Sequence, residues 1–162
     1  MRFTYCPHCG TRATQKEIGD EGLIPYCDRC QVPLWDMFTT AIIAAVVNEC
    51  GEVALLRQNY ISREYHICLS GIMKLGESAE QTAVREIKEE IGLTVKRLEY
   101  IRSWPMDNKD MLMLGFKAVA DKADFTLSQE VDSVQWVKYA DALGLMRPGS
   151  IAWQLVKTVI EG

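Results

Sequence analysis

Two cysteine pairs at matched spacing, Cys6-Pro-His-Cys9 and Cys27-Asp-Arg-Cys30, constrain what this chain can fold into more than any other feature. Seventeen residues separate them. A Cys-x-x-Cys pair chelates one metal through a tight turn, and four thiolates complete a closed tetrahedron around Zn²⁺. Two unrelated thiol pairs would not explain the match. A redox role fits less well, because no strand-then-helix pattern surrounds either pair. About 30 residues bury too little surface to hold themselves together, so zinc would supply most of the folding energy of a ribbon over residues 1–35. His8 sits inside the first knuckle, where the four thiols already fill the coordination shell, and is read as solvent-facing. Cys50 and Cys68 have no partner at ligand spacing and read as a turn residue and a core thiol. The N-terminal residues lack the apolar core of a signal peptide, so the expected location is cytoplasmic. A reducing compartment also favours metal ligation over disulfides.

Residues 36–162 carry a different pattern. With 162 residues in all, 48% hydrophobic and 25% charged, the chain suits one sizeable domain plus a small appendage. A net charge of −4 argues against a broad nucleic-acid surface. No DNA partner is expected, and no membrane partner either, since no apolar run approaches the roughly 20 residues of a span. TTAIIAAVV (39–47) is a β-compatible run, Asn48 to Gly51 a turn, and EVALLRQ a second strand. YHICLS (65–70) reads as a third strand ending at Gly71. Further strands are predicted at 94–103, 111–120 and 132–137, and a last helix at 150–160. Strands, helix, strands, helix suit an α+β sandwich with a mixed sheet between helices.

The central helix begins at Ser78, an N-cap with Gln81 three residues on, and stops at Gly92. At about 100° per residue, Glu86, Glu89 and Glu90 share one face, while Val84, Ile87 and Ile91 form the stripe expected to dock. Like charges so spaced cost a few tenths of a kcal/mol per pair on an open helix. In a cleft of effective dielectric near 20, each pair at about 6 Å would cost roughly 2–3 kcal/mol. A divalent cation reverses that sign. Several oxygen ligands on one rigid element suit Mg²⁺ or Mn²⁺, hard ions that keep waters for a phosphate substrate.

Spacing carries the reading further. Gly71, five residues, Glu77, seven residues, then Arg85-Glu86-Ile87-Lys88-Glu89-Glu90-Ile91-Gly92-Leu93 resembles the complete signature of the Nudix hydrolases. With seven fixed residues each used at roughly 7%, chance agreement is on the order of 10⁻⁸ per starting position. The resemblance implies a Nudix-type α/β/α sandwich and hydrolysis of a nucleoside diphosphate linked to another moiety, by water attack on a phosphorus of the pyrophosphate. It implies Glu86, Glu89 and Glu90 as magnesium ligands, joined by the carbonyl of Gly71. Arg85 would orient a glutamate, and Glu77 would brace the loop–helix junction or touch an outer-sphere water. Which glutamate serves as the base varies across the family and stays open.

A zinc ribbon ahead of such a domain is similar to the NADH pyrophosphatase subgroup, which splits NAD(H) into a mononucleotide and AMP and also removes NAD caps from RNA. TVKRLEYIRSWP, SQEVDSVQWV and RPGSIAWQLVKTVI resemble successive segments of that subgroup. The second of these puts a further metal-binding glutamate at Glu130. Two departures stand out. Only Ser103-Trp104-Pro105 remains of the subgroup's marker, and Ile72 occupies the place of a phenylalanine that can stack on a base. Losing that platform would remove roughly 1–3 kcal/mol. Trp104 is therefore a candidate either for stacking on substrate or for anchoring its loop. The expected substrates are NAD(H), ADP-ribose or a related dinucleotide, with NAD-capped RNA as a further partner. The resemblance also implies a homodimer. The alternative is a non-catalytic nucleotide sensor or RNA-associated module, and a hydrolase of damaged nucleoside triphosphates is a third class.

Overall fold

The computed structural model describes residues 3–162. It separates into two compact units, with the cut between Thr39 and Thr40. The first carries a three-stranded antiparallel sheet of β1 (Thr14–Glu17), β2 (Leu23–Cys27) and β3 (Val32–Pro33). Both cysteine knuckles close in the same way. The Gly10 N–H donates to the Cys6 carbonyl at 2.9 Å and the Gln31 N–H to the Cys27 carbonyl at 2.8 Å. Each closing residue has a positive φ, +70° at Gly10 and +57° at Gln31. The apolar core is small: Cys6, Cys27 and Leu34 are its buried members.

The second unit is built on a mixed sheet whose main path runs β10–β5–β4–β9–β8. Its strands are β4 (Thr39–Val47), β5 (Glu52–Gln58), β6 (Ser62–Ile67), β7 (Leu69–Ile72), β8 (Val95–Met106), β9 (Met111–Ala120) and β10 (Ser133–Lys138). Its helices are α1 (Ala79–Ile91), α2 (Tyr139–Ala142) and α3 (Ile151–Glu161). The alternation of β4 makes the sandwich. Ile42, Ala44 and Val46 pack with Ala83, Ile87 and Ile91 of α1, whereas Ile43, Ala45 and Val47 pack with Leu155, Val156 and Val159 of α3. A strand buried on both faces reads as a continuous apolar run, as TTAIIAAVV does.

Two expectations change, and one element is new. The single strand over 65–70 is two strands broken at Cys68: β6 pairs with β5, and β7 pairs with β4. The break hands the chain from one neighbour to the next and brings Gly71 opposite Ile42. Val84 is not docked, at 43% exposed. The seam follows the i, i+4 row Ala83–Ile87–Ile91, whose centre lies about 60° from Val84, and that rotation carries Glu90 inward to 6% exposure. The short helix α2, one turn after β10, had no sequence signal of its own. The capping box forms as read: the Gln81 N–H donates to Ser78 Oγ at 3.2 Å and the Ser78 N–H to Gln81 Oε1 at 2.9 Å. Gly92 ends α1 in the left-handed region, at φ +77°.

Candidate active site

The four cysteine sulfurs of the first unit lie within 4.8 Å of one another. Cys6 and Cys30 Sγ are 3.9 Å apart, and Cys9 and Cys27 Sγ 3.5 Å. Sulfurs at the corners of a tetrahedron with Zn–S bonds near 2.3 Å stand about 3.8 Å apart. The cluster therefore fits a structural zinc, as the spacing predicts.

In the second unit, the β7–α1 segment and the β8–β9 hairpin border a cavity of about 570 Å³. Volumes of this size accept a nucleotide-sized ligand. Gly71, Glu86, Glu90 and Glu130 line its acidic end. Glu86 packs so closely over Gly71 that a β-carbon there would stand 2.2 Å from the Glu86 Cδ. Only glycine lets the helix carboxylate approach the strand.

Arg85 organises the remaining acids. Its Nε and Nη2 grip Glu77 at 2.6 and 2.8 Å, while Nη1 donates to Glu86 at 2.7 Å and to Glu89 at 3.0 Å. Beside this guanidinium, Glu77 falls to a pKa of about 2. Glu77 also accepts from the Thr82 hydroxyl at 3.0 Å and from the Lys74 N–H at 3.3 Å, so it braces the loop that enters α1. Glu89, with its side chain 55% exposed, stands outside the cavity lining and is held to the centre through Arg85.

Glu90 differs from the other acids. It is 6% exposed, and its Oε2 atom is buried without a hydrogen-bond partner. Burial first, then the charges of Glu86, Glu130 and Glu89, push its pKa up to about 7. An orphaned carboxylate oxygen facing two further carboxylates costs free energy unless a cation joins it. The donor set, all oxygen on rigid supports, fits Mg²⁺ or Mn²⁺.

Glu130 arrives from a distant stretch of chain, the loop 121–132. Two backbone bonds seat that loop on the end of α1: the Thr126 N–H donates to the Ile91 carbonyl at 3.1 Å, and the Ser128 N–H to the Glu90 carbonyl at 3.0 Å. Asp132 fastens the other side, accepting from the Asn59 N–H at 2.6 Å. That bond also fixes the β5–β6 turn bearing Tyr60, a cavity residue with no sequence signal.

Of the two residues read for substrate contact, Ile72 lines the cavity at 58% exposure. Trp104 takes the anchoring role. It is 6% exposed, packs in the core beside α3, and donates from Nε1 to Gln154 Oε1 at 3.1 Å. His66 packs in its strand: it is buried, and the Arg57 Nε donates to its Nε2 at 3.3 Å. Lys74, Lys109 and the methionines 106, 111 and 113 complete much of the lining. Sequence reasoning missed the methionines because their convergence depends on the β8–β9 register.

A sequence model of the NUDIX domain matches residues 37–156. Curated proteins named NAD-capped RNA hydrolase NudC are 30% identical over 158 residues, among them those of Enterobacter sp. strain 638 and Escherichia coli strain K12 / DH10B. These alignments cover 96% of this chain but only 59% and 60% of those proteins, so the chain spans about three-fifths of their length. A solved NUDIX hydrolase from Nitrosomonas europaea superposes with a TM-score of 0.72 at 18% identity, over 98% of this chain and 91% of that one. The NUDIX domain of Shewanella oneidensis NrtR, solved with ADP ribose, gives 0.65 at 17% identity, over 84% and 92%. At such identities these two likenesses speak for the fold.

Proposed function

The chain belongs to the Nudix family, and from that premise we propose that it hydrolyses the pyrophosphate bond of a nucleoside diphosphate linked to a second group, releasing a nucleoside monophosphate. The observation that carries the reading is the unpartnered, buried Oε2 of Glu90 in a nucleotide-sized cavity with Glu86 and Glu130. Relatives named for NAD-capped RNA put NAD(H)-type dinucleotides first among the candidate substrates, ahead of ADP-ribose, with capped RNA as an extension.

Glu86, Glu90 and Glu130, with the Gly71 carbonyl, would hold Mg²⁺ or Mn²⁺, and Glu89 would join them from the Arg85 side. A divalent cation there supplies charge neutralisation for the diphosphate and acidifies water. The protein's own work is placement. Arg85 keeps Glu86 and Glu89 on one centre and pins the entry loop through Glu77. Water adds to one phosphorus, the bridging P–O bond breaks, and the other phosphate departs. A carboxylate of the cluster takes the water's proton. Lys74 and Lys109, on the cavity lining, offer positive charge to the phosphates.

The test is product chromatography. The protein with Mg²⁺ is incubated separately with NADH, NAD, ADP-ribose, FAD, diadenosine polyphosphates and nucleoside triphosphates, beside Glu90→Gln and Glu89→Gln variants. AMP from a dinucleotide, lost in both variants, is the expected result. No turnover of any compound with Mg²⁺ or Mn²⁺ would overturn the hydrolase reading in favour of a nucleotide-binding module.

A further inference from the structure

Besides the carboxylates, the cavity lining carries a second chemistry. In the β8–β9 hairpin, Met106 pairs directly with Met111, and Trp104 pairs with Met113. Residues two apart on a strand share a face, so Met106, Met111 and Met113 present their side chains together. Trp104 stands on that face behind them. Its ring lies over Gly115, where a β-carbon would come within 2.4 Å of it, and its indole N–H is tied to Gln154 of α3. Across neighbouring strands the surface continues through Ala41 of β4 to its partner Ile72 of β7, both on the same lining.

Resting on the hydrolase reading, we infer that these methionines and Ile72 form an apolar wall that takes the flat face of a nucleobase without reading its edge. The preferred substrates are thus nucleoside diphosphate derivatives defined by the diphosphate rather than by one base. Thioether sulfur is polarizable, the side chain is unbranched, and contacts with aromatic rings are favourable in several geometries. A methionine surface therefore accepts purines, pyrimidines and nicotinamide alike, where one phenylalanine imposes a single stacking plane. Base identity is read on an edge by Asn or Gln, by Arg or Lys, or by a carboxylate or hydroxyl. Among the described residues of the lining, Asn, Gln and Arg are absent, the carboxylates belong to the acidic cluster, and Lys74 and Lys109 are assigned to the phosphates. Trp104 acts as a positioning residue, holding Met113 forward.

The test separates this proposal from the hydrolase reading by measuring binding and turnover in the same samples. NADH fluorescence is titrated with protein in Ca²⁺ in place of Mg²⁺, and products are followed by chromatography. Met106→Gln and Met111→Gln keep side-chain length while making the wall polar. Unchanged thermal unfolding shows that the fold is intact. Each variant should weaken NADH binding about 2- to 10-fold and raise KM alike, with kcat in Mg²⁺ little changed. AMP, GMP and UMP should displace NADH with inhibition constants within about 10-fold of one another, as expected of stacking without edge readout. Equal NADH affinity in wild type and variants, no NADH binding to the wild type, or a preference above about 100-fold for one base would overturn the proposal. Weakened binding in the variants without any turnover by the wild type would sustain the wall and sink the hydrolase reading.

Discussion

Among the described residues, two sets of ligand-type side chains are gathered to different degrees. The thiols of Cys6, Cys9, Cys27 and Cys30 already stand at tetrahedral edge distances. Among the described residues, the carboxylates of Glu86, Glu89, Glu90 and Glu130 form no such mutual cluster. The difference follows from charge. Ionised carboxylates repel one another, and Arg85 is present to hold two of them. Each metal would play a different part. Zinc would complete a unit whose buried core is three residues, so metal binding and folding would be one event there. In the second unit a full sandwich core stands on its own, and the cation would enter a frame already built.

The largest expected effect breaks the first half of this comparison. Stripping zinc with a strong chelator should remove roughly 10–16 kcal/mol from the ribbon. Amide NMR signals of residues 5–34 should collapse to unfolded shifts while those of the sandwich persist. If the ribbon signals stay dispersed, the thiols are held by something other than metal.

Next in size is Gly71→Ala. The added methyl collides with Glu86, which must leave the strand, so kcat should fall about 10²- to 10⁴-fold as the proton-accepting cluster is dispersed. Circular dichroism should remain that of the native protein. Activity within a few-fold of wild type would remove Glu86 from the cavity's chemistry.

The smallest effect sharpens the carboxylate side. Because the folded pKa of Glu90 is raised, to about 7, the native protein holds its proton where the unfolded chain has already lost it. Without divalent cations, stability should therefore be fully present below the unfolded carboxylate range and decline as pH rises through about 7. Glu90→Gln should abolish that decline, which amounts to roughly 3 kcal/mol at 1.36 kcal/mol per pKa unit. Mg²⁺ should restore the wild type's Tm at pH 8 and leave the variant's unmoved. A flat profile in the wild type would show that Glu90 is solvated.

Much of this was legible in the sequence for local reasons. The knuckles, the capping box and the Gly92 stop are short-range devices, each fixed by a few adjacent residues. The approach of Glu86 to Gly71 was implied by the resemblance, and its tightness became visible only in the β7–α1 packing. What stayed illegible depends on tertiary register. The strand break at Cys68 exists because β4 and β5 each offer an edge, which no local pattern announces. Val84 and Glu90 exchanged expected burial because three small or aliphatic residues at i, i+4 outcompete one valine in setting the seam. Trp104 could be read two ways until Gln154, 50 residues away, claimed its indole N–H.

The loop that carries Glu130 is fastened to the carbonyls of Glu90 and Ile91, the last two residues of α1. Those carbonyls have no partner within the helix, so the loop serves as its cap as well as its neighbour. Fraying of the final helical turn and departure of the fourth carboxylate are thereby the same motion. The amides of Thr126 and Ser128 should exchange with solvent at the rate of that fraying, and their protection is a clock for how often the carboxylate cluster is whole.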